Sequence, residues 1–524
     1  MRAPILAVSI LALPLIHAAG RCDDMSRLVL PEVAITKAES TAAGVLDGAG
    51  RGGPGPSMQL PAVCLVQGMI SKRTGVDGKT YGIGFELRLP ENWQGRFLFQ
   101  GGGGTDGVVQ PAIGVVAGTT ALARGFAVVS TDAGHQGRDA SFGHDQQARL
   151  DYAYNALGRV TSVAKQLVAA YYGRPADRSY FLGCSNGGRQ GMMASQRYPL
   201  EFDGIVAGDP GFRLSSAAIA EAWDTMAFAA VAPKDDQGRP ILSSAFSDAD
   251  LTLVSNAVLK ECDEKDGLKD GLIDNPEACR FNPASLACAG AKNDSCLTRP
   301  QVDALRRIFD GAVDSKGNRL YSGWPYDGGL GAPGWRAWKL GSSKTAAANA
   351  INATLGFGAL RDYFVTPFDP KFDPLRFDFD RDPARIAPTA AINDATATQL
   401  SSFSGRGGKL LLYHGVSDPV FSSNDTVAYY RALAADNGGM DATRAWARLF
   451  LVPGMNHCGG GPALDRFDPL AAVVDWVEKG VAPDRISATG ASFPGRSRPL
   501  CPFPLQAHYQ GTGSTDQSVN FACR

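Results

Sequence analysis

Residues 178–199 read Arg-Ser-Tyr-Phe-Leu-Gly-Cys-Ser-Asn-Gly-Gly-Arg-Gln-Gly-Met-Met-Ala-Ser-Gln-Arg-Tyr-Pro. The order is an apolar strand-like run, a glycine-rich turn and a helix-like segment ended by proline. Inside it, Gly183-Cys184-Ser185-Asn186-Gly187 fits Gly-x-Ser-x-Gly, which places a serine on a strained turn between strand and helix with its hydroxyl lifted clear of the backbone. The glycines answer a steric demand, because a Cβ at either one would meet neighbouring chain in so tight a turn. The bare pattern is common by chance. Its strand-turn-helix setting marks Ser185 as a nucleophile rather than part of an ordinary Gly-rich connection.

Working outward, residues 81–90 alternate like a strand, 95–104 form a short apolar run ending in four glycines, and 126–134 form another strand ending in a turn. Residues 148–173 have helical spacing and stop at Gly173. Strands alternating with helices indicate an α/β fold with a parallel sheet. The pattern resumes at 408–420, 426–437, 447–460 and 469–480. Between the two blocks, residues 214–395 read as an irregular insertion rich in Gly, Asp and aromatics, and residues 21–60, Gly- and Pro-rich after Ala49, read as a loop-like lead-in.

A serine nucleophile at neutral pH requires a base and a residue to orient that base. In chain order these follow as Ser, Asp, His, each where a loop leaves a later strand. Asp418 lies just beyond the apolar run 409–415, 418 − 185 = 233 residues after Ser185, and His457 lies 457 − 418 = 39 residues further on, beyond the run 447–452. His414, four residues before Asp418, reads instead as a packed or substrate-facing side chain. The tetrahedral oxyanion needs two N–H donors: that of Asn186, after the nucleophile, and one from an early Gly-rich loop, for which Gly104 in Gly101–Gly104 is the candidate. That loop lacks the spacing of either phosphate-binding glycine motif.

The balance of 51 basic and 52 acidic side chains leaves no basic surplus for a nucleic acid partner. The N-terminus, Met1-Arg2, an apolar stretch over 3–16 and His17-Ala18-Ala19-Gly20, reads as a signal peptide over 1–20, too short to span a bilayer. A secreted or periplasmic protein with no membrane span is expected. All ten cysteines follow that segment, and an even count in an exported chain suggests five disulfides. Short spacings favour Cys262 with Cys279, Cys288 with Cys296, and Cys501 with Cys523. Cys184 precedes the proposed nucleophile and Cys458 follows the proposed base. A bridge between them would tie two catalytic turns together across 458 − 184 = 274 residues, with an ideal entropic stabilisation on the order of 5 kcal/mol.

Gly-Cys-Ser-Asn-Gly-Gly-Arg at 183–189, Asp418 in Tyr-His-Gly-Val-Ser-Asp-Pro at 413–419, and His457-Cys458 in 452–462 resemble the tannase and feruloyl esterase family. Within it, residues 71–78, 144–151 and 449–468 are similar to bacterial mono(2-hydroxyethyl) terephthalate hydrolases. The resemblance runs from about residue 60 to Cys523. It implies an α/β-hydrolase domain over 21–213 and 396–524, a lid over 214–395 inserted between the nucleophile and acid strands, and esters of aromatic acids as substrates. It also assigns the remaining disulfide, Cys22 with Cys64.

Residues 262–272 crowd the carboxylates of Asp263, Asp266 and Asp270, with Glu264 among them, into a loop with two Asp-Gly turns, a hard-oxygen set that suits Ca²⁺ although the spacing is not that of an EF-hand. A solvated acidic turn is the bland alternative. The family resemblance implies a structural lid calcium held by the carboxylates of Asp263, Asp266 and Asp270 and the carbonyls of Leu268 and Leu272. Trp223, Trp324, Trp335, Trp338, Phe357, Tyr363 and Phe364 in the lid read mostly as its core, with one or two facing an aromatic acyl group. A free terephthalate carboxylate would call for a lid arginine, and residues 337–360 contain none, with Lys339 and Lys344 their only cations. The expected activity is a serine carboxylesterase acting through an acyl-enzyme on hydroxycinnamoyl, galloyl or terephthaloyl esters. The alternative is a catalytically silent aromatic-ligand-binding protein on the same fold.

Overall fold

The computed structural model describes residues 21–50 and 53–524, so the expected signal peptide over 1–20 lies outside the described residues. Nine strands form the main sheet: β1 (Val33–Thr41), β2 (Val63–Thr74), β3 (Thr80–Pro90), β4 (Arg96–Gln100), β5 (Phe126–Thr131), β6 (Arg178–Cys184), β7 (Gly204–Gly208), β8 (Lys409–Gly415) and β9 (Ala447–Val452). They lie side by side in the order β1-β2-β3-β5-β4-β6-β7-β8-β9. Pairing is antiparallel from β1 to β5 and parallel from β5 to β9. This is an α/β-hydrolase sheet, in which the crossover helices must cover both faces.

Alternation along the strands decides which helix covers which face. Phe181, Ile205, Leu410 and Leu412 point to one side and share a core with Met192 and Met193 of a helix over Asn186–Arg197. Tyr180, Val206, Leu411 and Phe450 point to the other and pack on Leu470 and Val473 of a helix over Pro469–Lys479. We name the helices α1 (Ala156–Tyr172), α2 (Asn186–Arg197), α3 (Leu214–Val231), α4 (Ser423–Asp436) and α5 (Pro469–Lys479).

Two expectations need correction. The lead-in over 21–60 is not loop-like: β1 pairs antiparallel with β2 from Val33 opposite Ile70, and Gly44–Gly50 pairs with Gly53–Leu60. Strand β1 escapes a sequence reading because it is the sheet's edge, mostly exposed, with no clean apolar alternation to betray it. Nor is 214–395 irregular, although among the described residues it adds no strand to the main sheet. It contains α3 and helices over Asp248–Cys262, Arg299–Asp310 and Pro383–Asn393. Helix α3 is apolar nearly all round and buried on most of its surface, so it lacks the one-sided period by which a helix is read.

Arg189 of α2 ties this segment to the hydrolase core. Its guanidinium is fully buried and donates to Asn186 Oδ1 (2.7 Å), Ala153 O (2.7 Å), Tyr152 O (3.0 Å) and Asn393 O (3.1 Å). Replacing it by Met removes a charged donor from three buried carbonyls and from Asn186 Oδ1, at about 1–3 kcal/mol for each bond lost. Arg189→Met is therefore expected to lose at least about 3 kcal/mol in urea unfolding. A loss under about 1 kcal/mol would contradict this role.

Candidate active site

Ser185 follows β6 directly and opens α2, with φ 67° and ψ −127°. A non-glycine residue holds positive φ only when its surroundings force it. Here the forcing is steric, since Cβ atoms built at Gly183 and Gly187 would lie 2.6 Å from Gly187 C and 2.7 Å from Gly102 O. The chain can cross itself at this point only as glycine. The crossing brings the 101–104 loop against the serine turn, and Gly104, Asn186 and Ser185 line one cavity. Asn186 N–H, at the first position of α2, has no intrahelical acceptor and lies at the positive end of the helix dipole. Gly104 adopts φ 60°, and its carbonyl accepts from Tyr152 Oη at 3.1 Å.

The loop after β8 carries Asp418 and the loop after β9 carries His457. His457 Nδ1 and Asp418 Oδ2 are 2.8 Å apart. The other Asp418 oxygen accepts from the Val420 and Phe421 N–H groups at 2.7 and 3.2 Å. Burial acts to raise the Asp418 pKa, but the attraction of His457 and hydrogen bonds from His414 and His457 outweigh it and hold the group below the ordinary carboxylate range. His457 Nε2 is buried with no hydrogen bond of its own, so a Ser185–His457 bond is not made in this structure. Trp338 and Phe421 flank the imidazole edge-on at 5.3 and 5.4 Å between ring centroids.

Several supporting residues were not apparent from the sequence. Asp209, after β7, accepts from Gly415 N (2.7 Å) and Cys458 N (3.0 Å), bracing the two loops that carry Asp418 and His457. Burial first, and then the neighbouring Asp418 charge, push it up against the pull of His414, to about 6. His414 is fully buried, bonded through Nδ1 to Thr426 Oγ1 at 2.8 Å and 3.4 Å from Asp418 Oδ2. It is a packed residue, out of reach of solvent. Asp106 receives Gly103 N (2.8 Å), Asn186 Nδ2 (2.9 Å) and Gln190 Nε2 (2.8 Å), clamping the glycine loop to α2. Asp327, from the inserted segment, receives Ser417 Oγ and Gly454 N, each at 2.7 Å. No motif marks these acids; only the folded chain brings them to their partners.

The structure joins Cys22–Cys64, Cys184–Cys458, Cys262–Cys279, Cys288–Cys296 and Cys501–Cys523. In the 263–272 loop, Asp263 accepts from Asp270 N and Gly271 N, Asp266 from Leu268 N and Asp274 N, and Asp270 pairs with Arg498. Burial and the adjacent Asp270 and Asp263 charges push Asp266 up to about 6, and burial and the same cluster push Asp274 well up. Among the described residues nothing donates to the Leu268 or Leu272 carbonyl. This is a crowded set of hard oxygen donors with Arg498 and Arg496 against Asp270, and its carboxylates and free carbonyls still fit a divalent cation. The three carboxylates are nevertheless not drawn within 4.8 Å of one another, as Asp209, His414 and Asp418 are.

The cavity encloses about 590 Å³ including its open mouth, and Phe142, Tyr152, Trp338, Tyr363, Phe364 and Phe421 supply its aromatic walls. Of the aromatic residues expected in the lid, Trp338, Tyr363 and Phe364 face it, whereas Trp324 and Trp335 are buried elsewhere in the core. A family model for tannase and feruloyl esterase matches residues 64–524. The chain belongs to the tannase and feruloyl esterase family. It is 46% identical over 518 residues to a mono(2-hydroxyethyl) terephthalate hydrolase from Piscinibacter sakaiensis, covering 88% of this chain and 85% of that one. It is 32% identical to a probable feruloyl esterase B-2 from Aspergillus flavus, covering 77% and 76%. The crystal structure of feruloyl esterase B from Aspergillus oryzae superimposes with a TM-score of 0.80 at 27% identity, over 96% of this chain and 99% of that one. Like its family, the chain is a carboxylic ester hydrolase.

The Cys184–Cys458 bridge joins the residue before Ser185 to the residue after His457. Cys184→Ala with Cys458→Ala is expected to lower kcat more than the fraction unfolded at the assay temperature explains. An intact kcat in a folded double variant, or free thiols at both positions in active protein, would refute a positioning role.

Proposed function

We propose that Ser185 attacks the carbonyl carbon of an aromatic acid ester while His457 Nε2 takes its proton and Asp418 holds the His457 Nδ1–H. The tetrahedral oxyanion lies against the N–H groups of Asn186 and Gly104, and His457 returns the proton to the departing alcohol. Water then repeats the sequence on the acyl-enzyme and releases the acid. One observation carries the reading: an aromatic-walled cavity opens onto Ser185 and both oxyanion donors, beside a base already held by its acid at 2.8 Å. Hydroxycinnamoyl, galloyl and terephthaloyl esters are the substrate classes this supports, since similar chains act on mono(2-hydroxyethyl) terephthalate and are named feruloyl esterases. A silent binding protein draws no support from a member of a hydrolase family. Ser185→Ala is expected to lower kcat on such esters by about 10³-fold or more with folding intact. Retention of a tenth of wild-type kcat would overturn the assignment.

The reading extends to location and metal. Five disulfides and the N-terminal leader pattern support export. No helix of the described residues is long and apolar enough to cross a membrane. Asp263, Asp266 and Asp270 with the Leu268 and Leu272 carbonyls would hold Ca²⁺, which supplies charge compensation to the acidic loop and takes no part in the chemistry. The 214–395 segment acts as the lid that selects the acid. Chelation, or Asp266→Ala with Asp270→Ala, is expected to lower Tm and raise KM for bulky aromatic esters while p-nitrophenyl acetate hydrolysis suffers less. Equal loss on both substrates, or no calcium by elemental analysis, would defeat this division of labour.

A further inference from the structure

Among the residues lining the cavity, Glu221 alone carries a carboxyl group, and no lysine or arginine shares the wall with it. It extends from α3 on the same face as Ala218 and Leu214, one and two turns away, which also line the cavity. Gly356 makes room for it, since a Cβ there would lie 1.9 Å from Glu221 Oε2. The tyrosine hydroxyls of the wall are engaged elsewhere: Tyr152 Oη donates to Gly104 O and Tyr363 Oη to Asn393 Oδ1. The Glu221 carboxyl accepts no hydrogen bond from any described residue.

Its charge is uncompensated. Lys339 is buried close by, but its ammonium is already committed to the buried Asp224 carboxylate in a direct ion pair and sits 3.9 Å over the Trp324 ring. Arg307 also acts on Asp224, but Lys339 is the one cation that acts on Glu221 and it is shared with Asp224, so a second negative charge in so dry a place is costly. Burial, opposed by Lys339 and reinforced by Asp224, pushes Glu221 up to about 8. That shift favours the protonated carboxyl at neutral pH, which can both donate and accept.

We propose that Glu221 is the specificity-determining residue for the acyl group, reading the ring substituent remote from the ester as an uncharged hydrogen-bonding group, so that a phenolic hydroxyl is accepted and a carboxylate is not. The inference rests on the aromatic-ester reading above. The ester end of the substrate is occupied by Ser185 and the two oxyanion donors, which leaves the ring to run toward the wall built by α3 and Gly356. A phenol there finds a free partner. A terephthalate carboxylate finds no cation and forces either itself or Glu221 to remain charged in an apolar wall.

The test is kcat/KM for methyl p-hydroxycinnamate, methyl cinnamate and monomethyl terephthalate with wild type, Glu221→Leu and Glu221→Gln. Wild type is expected to favour the hydroxylated over the plain cinnamate by on the order of tenfold or more, and to hydrolyse the terephthalate monoester least. Glu221→Leu is expected to bring the hydroxyl preference close to unity, mostly through KM, with methyl cinnamate changed less than about threefold. Glu221→Gln, close in shape and never charged, is expected to keep the hydroxyl preference and raise the terephthalate rate relative to methyl cinnamate. A preference unchanged in Glu221→Leu, or all three esters falling together in both variants, overturns the proposal while leaving the esterase reading in place. A wild type that hydrolyses p-nitrophenyl acetate but none of the three overturns the aromatic-ester reading and this proposal with it.

Discussion

The site is organised by the collision that would occur if residue 183 or 187 had a side chain. Ser185 is held at φ 67° because β6 turns into α2 within a single residue, and that turn closes only where Gly183 and Gly187 let backbone cross backbone. The same contact fixes the 101–104 loop, since Gly101 and Gly102 are the atoms being crossed. One steric condition thus sets the candidate nucleophile and brings in both candidate oxyanion donors. The strain costs on the order of 1–3 kcal/mol and persists because the strands on either side are fully packed.

Buried carboxylates then do for the loops what glycines do for the elbow. Asp106, Asp209 and Asp327 each gather donors from two separate segments, mostly backbone N–H groups of loops that hold functional side chains. A carboxylate is suited to this because it accepts several bonds at once in directions a neutral amide cannot match. The burden is visible in the titration behaviour: burial pushes Asp106 up to about 7 and Asp209 to about 6. Loops fixed beforehand need no rearrangement as charge develops on the substrate, which is the condition for electrostatic stabilisation of a transition state. The Cys184–Cys458 bridge adds a covalent tie between the same turns that Asp209 braces.

The alternation of strands and helices made the sheet legible, and Ser185, Asp418 and His457 stood out because each follows a strongly apolar run in which strand, turn and residue type coincide. Their chemistry is encoded locally. Asp209 stands after β7 just as conspicuously, yet its partners are Gly415 and Cys458, more than 200 residues away, and nothing near Asp209 signals them. Helix α3 was missed for the opposite reason, being buried too completely to show an apolar stripe, and β1 because an exposed edge strand has little apolar pattern to show. Glu221 combined both obstacles. It sits in the helix without a readable period, and its meaning depends on Lys339 being already paired and on residue 356 having no side chain.

Seen from the cavity, the chain's order in sequence becomes a division of tasks. Ser185, Asn186 and Gly104 come from the sheet ends, whereas Leu214, Glu221, Trp338, Leu355 and Gly356 come from the segment between β7 and β8. The reacting end is constrained by glycine crossings and shared carboxylates, so little there can change without disturbing the elbow. The acyl wall has no such constraint, because its residues meet the core through side-chain packing and a few anchors such as Arg149, which donates to Tyr363 O. Away from Trp338, which flanks the His457 ring, substitutions in that wall are expected to alter what fits more than the chemistry. On the proposed reading, this separation lets one framework serve esters of different aromatic acids, with the choice among them made in the segment that, among the described residues, adds no strand to the main sheet.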